Sequence, residues 1–183
     1  MKQSLFRSVV LMLLSTVANA ANDRPNILYI MSDDHACNAI SAYGGRLAKV
    51  APTPNIDRIA QEGIRLDKCY VTNSICTPSR AVILSGQHSH VNGVRTLLDA
   101  FPGPESGTPN VAAILNRSGY QTALIGKWHL RSPPWGLDYW KVGPGQGFYH
   151  NPVFVSSTDG VAYESGLARK LPRTQGYYTD LVT

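Results

Sequence analysis

Directly after Arg24-Pro25 the chain carries a near-continuous apolar run, Asn26–Met31 (Asn-Ile-Leu-Tyr-Ile-Met). A run of this kind predicts a strand buried on both faces. The pattern then turns amphipathic over Asn55–Gln61, opened by Thr53-Pro54 and stopped at Gly63, which predicts a helix. Ile64–Val71 predicts the next strand, and Ser79–Leu84 a helix that ends in Ser85-Gly86. Thr108-Pro109 is expected to cap a further helix through Asn116, with Gly119 as its terminator. Gln121–Ile125 reads as another short strand, and the last residues, from Gly176 onward, as the start of a helix. Two stretches rich in turn formers, Phe101–Pro109 and Pro133–Gly147, predict surface loops, the second interrupted by Trp135, Tyr139 and Trp140.

Strand, helix, strand, helix at this spacing predicts an α/β fold, with a mostly parallel sheet and helices on both faces. Ligands of such sheets bind beyond the carboxyl ends of the strands. The chemistry-bearing residues should therefore follow strands, and three groups do.

The first group runs Cys76-Thr77-Pro78-Ser79-Arg80. Pro78 and Ser79 suit a first helical turn, so Cys76 is expected at or just before a helix N-terminus. Backbone N–H groups and the helix dipole there favour an anion or a thiolate. Arg80, one turn on, can reach back toward the same point. A buried, unreactive thiol is the plainer alternative.

Asp33 and Asp34 form the second group, at the carboxyl end of the first predicted strand. Adjacent carboxylates repel unless a cation lies between them or water solvates both. At a strand-to-loop turn both can converge on a hard cation such as Ca²⁺; a solvated acidic turn is the other reading. The third group is Gly126-Lys127-Trp128-His129, after the strand Gln121–Ile125. In extended backbone Lys127 and His129 share a face, and such a pair could hold an oxyanion and move a proton. His88 and His90 have a spacing that can bind a transition metal, but no cysteine or carboxylate lies near them in sequence. A structural role is expected for them. Asn116-Arg117-Ser118 matches a glycosylation sequon directly after a helical pattern.

Composition adds the compartment. Met1–Ala20 has Lys2 and Arg7 in a basic start, an apolar core Val9–Leu14, and Ala18-Asn19-Ala20 as a small-residue cleavage site. This predicts a signal peptide over 1–20 and an exported, periplasmic or secreted protein with no membrane span after cleavage. The apolar core is far short of the roughly 20 residues a span requires. Removing a leader that carries two bases and no acid lowers the formal net charge from +5 to +3. A mildly cationic surface suits an anionic substrate, and nucleic acid is not among the expected partners. At 43% hydrophobic residues over the whole chain, 21–183 is long enough to form one core. Of three cysteines, Cys37 and Cys69 remain if Cys76 is modified, either as a pair or, as expected here, as two buried thiols.

Taken together, Cys-Thr-Pro-Ser-Arg before a helix ending in Ser-Gly, the Asp33-Asp34 pair after Arg-Pro-Asn-Ile-Leu-Tyr-Ile-Met, and Gly-Lys-Trp-His resemble the motifs of the type I sulfatases, in that family's order. The resemblance covers Pro25–Gly147 and implies an alkaline-phosphatase-like α/β domain that hydrolyses sulfate esters. It also implies that Cys76 is oxidised to formylglycine by a maturing enzyme, and that Asp33, Asp34 and residue 76 bind Ca²⁺. Arg80 would stabilise the hydrated aldehyde, with Lys127 and His129 on the sulfate and reacting oxygens. Thr53-Pro-Asn-Ile-Asp, Val71-Thr-Asn-Ser-Ile-Cys and Gly136-Leu-Asp-Tyr-Trp with Pro144-Gly-Gln-Gly are similar to sulfatases of sulfated glycans, particularly N-acetylglucosamine-6-sulfatases. On that likeness a sulfated carbohydrate is the expected substrate, and Trp135, Tyr139 and Trp140 either stack on a sugar ring or fill the core.

Family members are normally far longer, so 21–183 is expected to be the N-terminal part of a catalytic domain, incomplete at its C-terminus. The alternatives are an inactive, sulfatase-like fragment, or a phosphatase or phosphonate hydrolase of the same superfamily. Ser or Thr in place of Cys76 would favour the latter; the cysteine with Pro78 and Arg80 argues against it.

Overall fold

The structure, a computed structural model, describes residues 24–164, 166 and 170–182. The predicted leader, 1–20, lies outside the described residues. The chain divides into two compact units, one ending at Asp67 and the other beginning at Lys68.

In the first unit the predicted helix is present as α1 (Pro54–Glu62), with Pro54 in its first turn and Thr53 as its N-cap. Proline suits this place because its missing N–H would have had no helical partner. A hydroxyl–carboxylate network ties α1 to a 3₁₀ turn at Ser41–Tyr43. Ser41 and Thr53 both donate to the Asp57 carboxylate, and the Thr53 N–H donates to Ser41 Oγ at 2.7 Å. The Ser41 hydroxyl is the main reason the Asp57 carboxyl lies below the usual carboxylate range.

Asn26–Met31 does not form the predicted strand. It is extended and largely open to solvent, with Leu28 85% and Ile30 77% exposed. Ile64–Val71 does not form its strand either: it bends at Asp67-Lys68 and is open to solvent, with Ile64 86% and Tyr70 84% exposed. A strand exists through its ladder partners, and among the described residues neither run is part of the sheet. The second run also straddles the divide between the units, at the charged pair Asp67-Lys68.

The second unit holds α2 (Cys76–Ser85), a single turn α3 (Ser89–Asn92), α4 (Val111–Arg117), and a three-stranded sheet. Its strands are β1 (Ala123–Lys127), β2 (Tyr139–Gly143) and β3 (Val155–Ser156), and the described chain closes with α5 (Tyr178–Val182). β1 and β2 are parallel over five residue pairs, from Ala123 opposite Tyr139 to Lys127 opposite Gly143. β3 adds two antiparallel pairs. The α/β class holds, with β1 the one predicted strand that enters the sheet.

β2 lies inside the stretch expected to be a loop. Its run Tyr-Trp-Lys-Val has the composition of a strand, and the flanking glycines and prolines only bound it. Phe101, expected at a loop surface, is 1% exposed and stacks on Trp135 at 6.0 Å. Asn110, rather than Thr108, caps α4: its side chain accepts from the Ala112 N–H at 2.9 Å and donates to the Trp135 carbonyl at 3.0 Å.

The core of this unit joins Ala81 of α2, Val94, Phe101, Trp128, Leu130, Val142 of β2, and Tyr163. Three of its aromatics meet near Phe101, with Trp128 edge-on at 6.4 Å. Residues 128–138, which connect the parallel strands, supply Trp128, Leu130 and Trp135 to this packing. Both indole N–H groups are satisfied, Trp128 by the Ser132 carbonyl and Trp135 by that of Pro102. The connection is therefore pinned by its own side chains. It fixes the exit of β1, which is where the candidate site begins.

Candidate active site

Cys76 is the first residue of α2, and its N-cap Ile75 is extended, at φ −137° and ψ 148°. Pro78 fits the first turn, and Gly86 ends the helix in the left-handed conformation at φ 66°. No side chain caps the N-terminus. The first-turn amides and the positive end of the helix dipole thus belong to whatever residue 76 carries. Cys76 itself is half-buried.

The exit of β1 faces this helix end. Lys127, the last residue of β1, directs its ammonium to Cys76 Sγ at 3.6 Å. Arg80 donates from its guanidinium to the Lys127 carbonyl, and the buried hydroxyl of Thr77 donates to the His129 carbonyl at 2.8 Å. Three successive contacts therefore bind the start of α2 to residues 127–129. A thiol beside an ammonium and a helix N-terminus is an anion-favouring place.

His129 departs from the expected geometry. β1 ends at Lys127, and His129 takes φ 52°, in the left-handed region, so alternation along one strand does not place it with Lys127. Its Nδ1 is shielded from solvent. The Thr77 hydrogen bond on its carbonyl links His129 to the residue next to Cys76. Gly126, at φ 115°, prepares this turn. A Cβ there would also stand 3.7 Å from the Tyr178 hydroxyl. The sequence reading missed Thr77, although a hydroxyl between a cysteine and a proline at a helix start is the signal that could have marked it.

Asp33 and Asp34 lie in the first unit, exposed, as the central pair of a turn in which Asp34 has φ 47°. Carboxylate oxygens at a turn suit Ca²⁺ in kind, but two residues supply only part of the six to eight oxygens it takes. Among the described residues no group of three or more His, Cys, Asp or Glu gathers around one point. The chain's own residues thus fit a calcium ion as a partial oxygen shell.

The remaining candidates separate by their surroundings. His88 and His90 stack at 5.7 Å on the surface, His88 as the N-cap of α3. Cys37 and Cys69 are free thiols and both exposed, against the expectation of burial. Cys37 opens a 3₁₀ turn, Cys37–Ala39, and Cys69 sits in an irregular segment, both among exposed neighbours. Trp135 stacks on Phe101, and Trp140 meets Tyr163 edge-on at 6.4 Å, so both indoles pack against the core. Tyr139 lines an open hollow of about 380 Å³ with Gln121, Thr122, Ala123 and Asp138. That hollow is at the start of β1 and β2, whereas Lys127 is at the end of β1. Asp138 accepts from the Thr122 N–H there, which holds its carboxyl below the usual range.

Comparison with known proteins shows the family. A profile of the sulfatase family matches residues 25–166, and the chain belongs to that family. It is 44% identical over 176 residues to an N-acetylglucosamine-6-O-sulfatase of Bacteroides thetaiotaomicron, covering 93% of this chain and 28% of that protein. The human steryl-sulfatase is 36% identical over 130 residues, covering 67% of this chain and 22% of that protein. Among solved structures, BT4656 in complex with its substrate D-glucosamine-2-N,6-O-disulfate superposes with a TM-score of 0.74 at 42% identity. That match covers 87% of this chain and 29% of the other. The chain thus spans between a fifth and three-tenths of the length of these relatives.

Proposed function

We propose that the protein is a sulfuric ester hydrolase acting on sulfated saccharides, and that 6-O-sulfated glucosamine units are its substrate class. The observation that carries this reading is the Lys127 ammonium 3.6 Å from Cys76 at the N-terminus of α2. A fixed cation and a helix dipole at one point are what a sulfate monoester needs, because its charge must be offset before an oxygen nucleophile can approach sulfur. The substrate class rests on the two relatives whose names specify sulfated glucosamine.

In this reading a sulfatase-maturing enzyme converts Cys76 to formylglycine, whose hydrated aldehyde supplies an oxygen nucleophile that a thiol does not. Ca²⁺, held in part by Asp33, Asp34 and residue 76, would supply neutralising charge. Lys127 binds a sulfate oxygen through its ammonium. His129 exchanges a proton with the reacting oxygens through its imidazole. Arg80 braces the Lys127 carbonyl and presents a planar cation beside residue 76. Export to the periplasm or beyond the cell is part of the proposal and rests on the leader pattern of Met1–Ala20. No helix among the described residues is long and apolar enough to cross a membrane.

The test is sulfate release. The full-length enzyme, produced with a maturing enzyme, is incubated with N-acetylglucosamine-6-sulfate and with the matching phosphate monoester, and free anion is measured by ion chromatography. Turnover of the sulfate ester in preference to the phosphate ester is expected. Release of phosphate alone, or of neither anion, overturns the reading.

A further inference from the structure

We propose that Thr77 is a positioning residue for His129, its hydroxyl fixing the left-handed backbone that sets where the imidazole stands relative to Cys76. The inference rests on the role given to His129 above. Thr77 is fully buried, and its hydroxyl donates to the His129 carbonyl, 2.8 Å away and 52 positions along the chain. His129 has φ 52°, which a residue with a Cβ adopts only where its surroundings impose it.

Those surroundings are visible on each side. Trp128 and Leu130 are 2% and 0% exposed, so both neighbours of His129 are locked into the core. The Leu130 carbonyl accepts from the Phe101 N–H at 2.8 Å, and the Lys127 carbonyl accepts from Arg80. Between these anchors the Thr77 hydroxyl holds the His129 carbonyl. Thr77 is also the covalent neighbour of Cys76. One short linkage therefore runs from residue 76 through the Thr77 hydroxyl to the backbone of His129, and it couples the two without needing a side-chain contact between them. A threonine that merely satisfied a buried carbonyl would support folding but would not influence turnover separately.

The experiment compares wild type, Thr77→Val and Thr77→Ser in the full-length, matured enzyme. Valine keeps the shape and removes the donor; serine keeps the donor and removes the methyl. Thr77→Val is expected to lower kcat about tenfold or more while KM changes less than about threefold, because Lys127 is left in place. Thr77→Ser is expected to restore kcat to within about threefold of wild type. Should Thr77→Val fail to fold, Thr77→Ala, which leaves room for water at the carbonyl, carries the same expectation. If neither variant folds, Thr77 serves the fold rather than the histidine and the inference is overturned. Equal kcat in a folded Thr77→Val also overturns it, as does a Thr77→Ser variant as impaired as the valine. Both of those results leave the sulfatase reading standing, whereas a wild type without sulfate release removes that reading first.

Discussion

Lys127 Nζ lies 3.6 Å from Cys76 Sγ although the two residues are 51 positions apart in the chain. One ends a strand and the other begins a helix, whose first-turn N–H groups have no partner within the helix. The arrangement places the Lys127 ammonium at an anion-favouring point.

Lys127→Ala removes that cation while leaving β1 paired to β2 along its backbone. Loss of one charge-stabilising donor typically costs about 10²–10³ in kcat. A fall of that size in steady-state sulfate-ester hydrolysis is expected, with a melting temperature close to wild type. An unchanged kcat would remove Lys127 from the site.

Asp33→Ala or Asp34→Ala should weaken calcium binding by at least about tenfold, roughly 1.4 kcal/mol, since each deletes a carboxylate ligand from a partial shell. Isothermal titration with Ca²⁺ reads this directly. Chelation of the wild type should abolish activity and calcium add-back should restore it. Calcium affinity indifferent to both substitutions would show that the acidic turn is simply solvated.

Gly136→Ala tests the connection that holds the β1 exit. Gly136 has φ 76°, and a Cβ there would lie 2.5 Å from the Ala113 Cβ of α4. Strained backbone and overpacking each cost about 1–3 kcal/mol, so a loss of about 2–4 kcal/mol is expected in denaturant unfolding. A loss under about 0.5 kcal/mol would mean that α4 and the connection move apart freely.

The helices of this protein were more legible in its sequence than its sheet. α1 and α2 are bounded by signals a short chain segment carries entirely, proline at the start and glycine at the end, and both stand where those signals put them. The expected start of α2 put Cys76 at a helix N-terminus, and the structure agrees. Asn26–Met31 and Ile64–Val71 are as apolar as any strand, but a strand also needs a neighbour that no local pattern specifies. β2 erred the other way, hidden by the glycines and prolines around it. Alternation reaches Lys127, the last residue of β1, but not His129, whose backbone has left the extended region at φ 52°. Thr77 stood inside the motif itself, yet its partner lies 52 residues away, a distance over which sequence carries no pattern.

The most direct test of the whole account is the mass of the tryptic peptide containing residue 76, taken from full-length enzyme made with a maturing enzyme. Conversion of the Cys76 thiol to an aldehyde lowers that mass by about 18 Da and creates a carbonyl that reacts with hydrazides, the group nucleophilic catalysis here requires. The account predicts this shift in active preparations, in proportion to their specific activity, and its absence in Cys76→Ala. Fully active enzyme whose Cys76 peptide retains the unmodified thiol would contradict it.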